Sequence, residues 1–283
     1  MIVTNNSGRE LSCTRGDLPY KLTNEYLFRA VFQSSPKALE GLCRAVLRLS
    51  PEDSLSVSLQ NPVELGKRIE DKDFLLQLAV TINNSMSLTL ELQVCLGRFC
   101  KEHAFSHACR GFDQLNHDNT YDAVFPIVHA DFLNFSLFPE HPEFYASYQL
   151  MNISNPDYCY AYSDKLLLSV VDLTQIALAT EEDKAYDIDL WARVFTASTW
   201  REIEMLAQNN DYLQAAVSGL RQLLEDEAVC QQCQAREEFS YREQLRNSKM
   251  KELDDGLKQA HDTLRQKEDE IAQLRAELAA LKR

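Results

Sequence analysis

The chain has no apolar run at its start: Arg9, Glu10, Arg15 and Asp17 stand where a secretory signal would need one. No later stretch is long and apolar enough to cross a bilayer. These two absences predict a cytoplasmic protein with no membrane partner. Positive charge is also scarce, with 29 Lys and Arg against 43 Asp and Glu and a net charge of −14. That balance excludes broad electrostatic adhesion to nucleic acid, which relies on Lys and Arg at phosphates, but leaves room for a local basic cleft. Cys230 and Cys233 form a CxxC with no second pair at zinc-ribbon spacing. In a reducing compartment the eight cysteines are expected as thiols. Cys100, His103 and His107 share a helical face at i, i+3 and i+7, open to reading either as a partly buried helix face or as metal ligands. After Glu181 no convincing strand remains.

What is present is a core-forming chain, 45% hydrophobic over 283 residues. A polar arm is expected over 1–17. Helices are predicted from about Thr23, which is placed to cap the first, and from Pro36 to Leu49. Strands are predicted at 74–82 and 87–95, a helix at 98–115, and further strands from Ala123 to Phe135 and from Leu166 to Leu173. LLLSVVDL in the last of these is apolar enough for an interior strand. Such a sheet with helices before and between its strands is an α/β or mixed α+β core. It is expected to occupy 18–180, with a helical region at 181–245 whose Trp191, Val194 and Phe195 pack back on it.

The stretch QLAVTINNSMSLTLELQ, Gln77 to Gln93, carries the candidate chemistry. Leu78, Val80 and Ile82 alternate on one strand, Asn83-Asn84-Ser85 supplies a turn, and Leu88, Leu90 and Leu92 alternate on the next. Thr89, Glu91 and Gln93 then share the opposite face, and Gln77 belongs to the same face of the neighbouring strand. A carboxylate at 77 beside Glu91 would suit a divalent metal; the neutral amide present there is a poorer partner for a hard cation.

The order LTNEYLFRAVF (Leu22 to Phe32), then Gln77 with Glu91 and LELQ, then Gln114 with Tyr121, FPIVHADFLNFSLF, LLLSVVDL and the Trp191/Phe195 helix resembles the PD-(D/E)xK nuclease-family transposases, the group that includes the Rpn recombination-promoting nucleases. The resemblance spans most of 20–245. It implies a restriction-endonuclease-like α/β core, a mixed sheet flanked by helices, with a Mg²⁺ cofactor, DNA as partner and phosphodiester cleavage linked to recombination. It also places Glu25 at the helix carboxylate, Glu91 at the motif carboxylate, Gln93 at the Lys or Gln position, and Gln77 where the family has its Asp. Glu91 and Gln77 are thus the expected metal positions. Glu25 reads equally well as a first-turn residue favoured by the helix dipole. Other departures fall at Glu102 or His103, at 118–120, and at Asp172 and Gln175. Asp73 shares the strand parity of Gln77 but lies about 13 Å along an extended strand, and Asp71 lies farther. The expectation is a family member with impaired catalysis; the alternative is a non-catalytic relative that binds DNA or protein and oligomerises.

The terminal segment, 246–283, is different. Met250, Leu257, Leu264, Ile271 and Leu278 recur every seven residues, and Leu253, Ala260, Lys267, Leu274 and Leu281 interleave with them as the a and d series of a coiled coil. In a parallel pair Glu270 meets Arg275 and Glu277 meets Lys282 of the partner, so a homodimer is predicted.

Overall fold

A computed structural model of the chain describes residues 16–63, 65, 77–94, 101–112, 125–154 and 160–281. The first helix, α1 (Glu25–Ser34), starts one residue later than Thr23 predicts: the Asn24 side chain accepts hydrogen bonds from the backbone N–H groups of Tyr26 and Leu27 and is the true cap. Ser35 caps α2 (Pro36–Leu47), which carries proline in its first turn, where a missing N–H costs nothing. This helix ends before the expected Leu49 because Arg48 turns into the left-handed region at φ 50°.

Six strands follow: β1 (Val57–Leu59), β2 (Leu78–Ile82), β3 (Met86–Gln93), β4 (Ile127–Leu133), β5 (Tyr145–Tyr148) and β6 (Leu166–Asp172), with helix α3 (Lys101–Phe112) between β3 and β4. They form one mixed sheet in the order β1-β2-β3-β4-β6-β5. The β2–β3 hairpin is antiparallel as predicted, with Leu78 opposite Leu90 and Val80 opposite Leu88. Asn83 and Asn84 both take positive φ in the three-residue loop between Ile82 and Met86, left-handed backbone that Asn tolerates well. β3, β4 and β6 run parallel, and β5 closes the edge antiparallel to β6. β1 and β5 escaped the sequence reading: they are three and four residues long, too short for alternation to register.

Past the sheet lie α4 (Glu181–Ala185), α5 (Ile188–Thr196), α6 (Trp200–Ala207), α7 (Asp211–Leu224) and α8 (Glu227–Leu281). The chain divides into two compact units, one up to Glu238 and one from Phe239 onward. In the first, α1, α2, α5 and α7 cover one face of the sheet. Phe28, Phe32, Phe132, Trp191 and Phe195 form an aromatic knot there, with ring centroids 4.9 Å apart for Phe28–Phe32 and 5.2 Å for Phe132–Phe195. Such edge-to-face pairs add about 0.5–1.5 kcal/mol each beyond area burial. The other face is covered by α3, where Ala104 packs against Leu133 and Val170, and Ala108 against Ile127 and Leu166. In the second unit the described apolar seam positions, among them Leu257, Leu264 and Ile271, are exposed. No helix among the described residues is long and apolar enough to cross a membrane.

Candidate functional site

Strand parity sorts the polar residues. Leu88, Leu90 and Leu92 of β3 and Val128, Ala130 and Phe132 of β4 point into the aromatic core, so Glu91, Gln93, His129 and Asp131 share the α3-covered face. Parallel pairing sets Glu91 directly beside Asp131. The hairpin pairing ends at Leu78–Leu90; continued one step, its register would set Gln77 across from Glu91. Glu91 therefore has a carboxylate neighbour on β4.

The cluster is tight and buried. Glu91, His129 and Asp131 expose 6%, 1% and 2% of their surface, and one ligand atom from each lies within 4.8 Å of the others. His129 Nε2 is 3.1 Å from Asp131 Oδ1 and 3.8 Å from Glu91 Oε2. Gln93 Nε2 donates to Glu91 Oε1 at 2.6 Å and orients that carboxylate. Burial pulls the His129 pKa down, but the charge and hydrogen bond of Asp131 and the charge of Glu91 outweigh it and raise the net value. The His107 ring of α3 lies over His129, centroids 5.9 Å apart.

Gln77 is held by its backbone. Its carbonyl accepts from the Arg29 guanidinium and from Asn61 Nδ2 at 3.0 Å. Arg29 is fully buried, and desolvation lowers its pKa to about 10. Its remaining hydrogen bonds go to the Asn61 carbonyl and to the side-chain oxygens of Asn61 and Gln33. Gln77 Oε1 is buried with no hydrogen-bond partner among the described residues. An orphaned buried oxygen is the kind of atom a cation or a water satisfies.

Glu25 stands apart from this group. It is buried at the start of α1 and forms an ion pair with Arg236 of α8, and it is not a member of the Glu91–His129–Asp131 cluster. The fold thus brings Glu91 and Gln93 together and occupies Glu25 with a cation, while the contacts of Gln77 are to Arg29 and Asn61. Asp71, Asp73, Cys100, Gln114 and Tyr121 lie outside the described residues. Cys233 is buried and its thiol pKa is pushed well up by burial, which leaves it an inert structural thiol.

The sequence reading missed His129 and Asp131. The available signal was IVHADFL, an interior strand whose two polar residues fall at i and i+2 on one face. A divalent ion fits this donor set in kind, since carboxylate oxygen and imidazole nitrogen are both metal ligands.

No curated protein matches the chain, and no solved structure does. The family model described as PD-(D/E)XK nuclease family transposase matches residues 22–252. This match takes in every strand of the sheet and the whole of the buried cluster, and the chain belongs to the PD-(D/E)XK nuclease family transposases.

Proposed function

We propose that the chain is a DNA-binding nuclease-family protein of the Rpn type whose Mg²⁺-dependent phosphodiester cleavage is impaired, and that it works as a homodimer. The observation that carries this reading is the buried carboxylate of Glu91 on β3, toward which the hairpin register, continued past Leu78, projects an amide rather than a second carboxylate at position 77. A bound divalent ion in such a site lowers the pKa of the attacking water and offsets charge on the phosphate. Glu91 would hold the ion and Gln93 keeps its carboxylate oriented. Gln77 offers one oxygen but no charge, which Mg²⁺ needs to displace its tightly held waters.

The homodimer rests on the seam. Leu257, Leu264, Ile271 and Leu274 are each about half exposed or more, and a continuous helix carries them from Glu227 to Leu281. Apolar side chains at a and d on a solvated helix are buried by a second helix of the same pattern. Lys267 at a d position ties to Glu270 at 2.8 Å within its own helix. It lowers the stability of the seam and sets its register.

Plasmid cleavage in Mg²⁺ tests the first part, using the wild type, Gln77→Asp, and Glu91→Ala as a control for contaminating nuclease. Little cleavage by the wild type is expected, with a gain in Gln77→Asp. Robust Glu91-dependent cleavage by the unmodified protein overturns the reading of Gln77. Light scattering tests the second part: a dimer that Leu264→Asp/Ile271→Asp converts to monomer is expected, and a monomeric wild type at tens of micromolar refutes it.

A further inference from the structure

We propose that Glu91, Asp131 and His129 form a divalent-metal centre suited to a first-row transition ion such as Mn²⁺ or Zn²⁺ rather than Mg²⁺, with Asp131 supplying from β4 the carboxylate that Gln77 lacks. This deepens the functional reading above and rests on it only for the expectation that a divalent ion belongs at Glu91.

Geometry carries the first part. Glu91 and Asp131 are register partners on adjacent parallel strands, and His129 precedes Asp131 by two residues on the same face. Bonds of about 2.0–2.2 Å in a tetrahedral site separate ligand atoms by about 3.4 Å. The two contacts of His129 Nε2, at 3.1 Å and 3.8 Å, straddle that separation, so small side-chain rotations seat an ion. The hydrogen bond from Gln93 to Oε1 turns Oε2 of Glu91 toward His129.

Charge carries the second part. Two carboxylates and one imidazole total −1 with His129 protonated and −2 with it neutral. A divalent ion with neutral His129 brings the three residues to zero, which suits side chains at most 6% exposed. Ligand chemistry then selects the ion. Mg²⁺ prefers an all-oxygen octahedron and keeps several waters, for which imidazole is a poor ligand. Imidazole suits Zn²⁺, Fe²⁺ and Ni²⁺, and a mixed nitrogen and carboxylate set also accepts Mn²⁺. Coordination through Nε2 places the proton on Nδ1, which has no hydrogen-bond partner among the described residues. A missing outer partner typically lowers metal affinity about 10–100-fold, so micromolar rather than tighter binding is expected.

The test is direct binding to the full chain after chelator stripping. Mn²⁺ is titrated by calorimetry, Zn²⁺ by competition, and Mg²⁺ in parallel. One Mn²⁺ per chain is expected, bound at least tenfold tighter than Mg²⁺. Asp131→Asn should weaken Mn²⁺ on the order of 100-fold, because one anionic ligand of two is gone. Pulsed electron paramagnetic resonance of Mn²⁺ on the wild type needs no variant to fold: coupling to one ¹⁴N nucleus is expected. Absence of Mn²⁺ and Zn²⁺ binding at millimolar ion, a bound Mn²⁺ without nitrogen coupling, or Mg²⁺ bound as tightly as Mn²⁺ each overturns the proposal. Failure of the functional reading looks different: a protein that binds Mn²⁺ through nitrogen yet neither binds nor cleaves DNA leaves the centre standing and removes its nuclease role.

Discussion

Gln77→Asp is the most informative perturbation, because it acts on stability in opposite directions with and without metal. A carboxylate at 77 faces Glu91 across the hairpin, and directly opposed side chains are about 5 Å apart. Two unit charges at that distance repel by about 3 kcal/mol at an effective dielectric of 20. Asp131 lies on the far side of β3, about 10 Å from position 77, and adds roughly 2 kcal/mol. A protonated His129 at similar distance offsets about the same amount. The metal-free variant should therefore lose about 3 kcal/mol at neutral pH, less whatever protonation of the new carboxylate relieves. The sign with pH follows. The folded state raises the pKa of such a group, so the penalty is fully present above that raised pKa and is relieved as pH falls through it toward the ordinary carboxylate value. Added Mg²⁺ reverses the loss: at a free concentration about 100 times Kd, binding restores about 2.7 kcal/mol. Urea denaturation of wild type and variant, in chelator and in about 10 mM Mg²⁺, reads all four values; saturation to that degree requires a Kd of about 0.1 mM. Equal stabilisation of both proteins by Mg²⁺, or a variant as stable as wild type in chelator, refutes the placement of Gln77 beside Glu91.

Other perturbations test the frame around the site. A Cβ at Gly41 of α2 would press into Cβ and Cγ of Tyr212 and lie 3.1 Å from Trp191. Gly41→Ala therefore gains about 1 kcal/mol of helix propensity but pays overpacking of about 1–3 kcal/mol, a net loss in urea denaturation. Gly219→Ala, whose nearest neighbour is Ser35 Cβ at 3.7 Å, should instead gain up to about 1 kcal/mol, and a matching sign at both positions contradicts the packing described. Arg236→Met strands the buried Glu25 carboxylate and should cost about 3–5 kcal/mol, with part recovered in the Arg236→Met/Glu25→Gln double variant; a loss below about 1 kcal/mol removes the structural role of the pair. Burial first, then the charges of Cys230, Cys233, Glu237 and Glu238, push Tyr20 up to about 12 from 10.0. Between those values the folded chain keeps a proton the unfolded chain has lost, so this residue lowers stability as pH rises. Tyrosinate absorbance of Tyr20→Phe should lack one late-titrating group, and loss of an ordinary one near pH 10 contradicts the burial of Tyr20.

Period-two alternation around Asn83–Ser85 was enough to draw the antiparallel β2–β3 hairpin and its two faces, because both strands and the turn lie within one short stretch. The same alternation assigned Glu91 and Gln93 to one face, and the order of the motifs carried the family resemblance. The heptads of the last segment were equally local. The cap of α1 was missed by one residue, since Thr23 and Asn24 are both good caps and only the backbone decides between them. The ion pair of Glu25 was out of reach, because its partner Arg236 is 211 residues away. His129 and Asp131 were visible as two polar residues in an apolar strand, but nothing local says which strand lies beside β4. That neighbour is chosen by the crossover through α3 and by burial of Phe132 among aromatics from α1 and α5. Alternation by itself determined the hairpin, and the order of motifs from Leu22 to Phe195 carried the resemblance that the family model bears out. The tertiary structure alone decided that a second carboxylate and an imidazole from β4 meet Glu91, because parallel pairing is a long-range contact whose register is set by packing rather than by a turn.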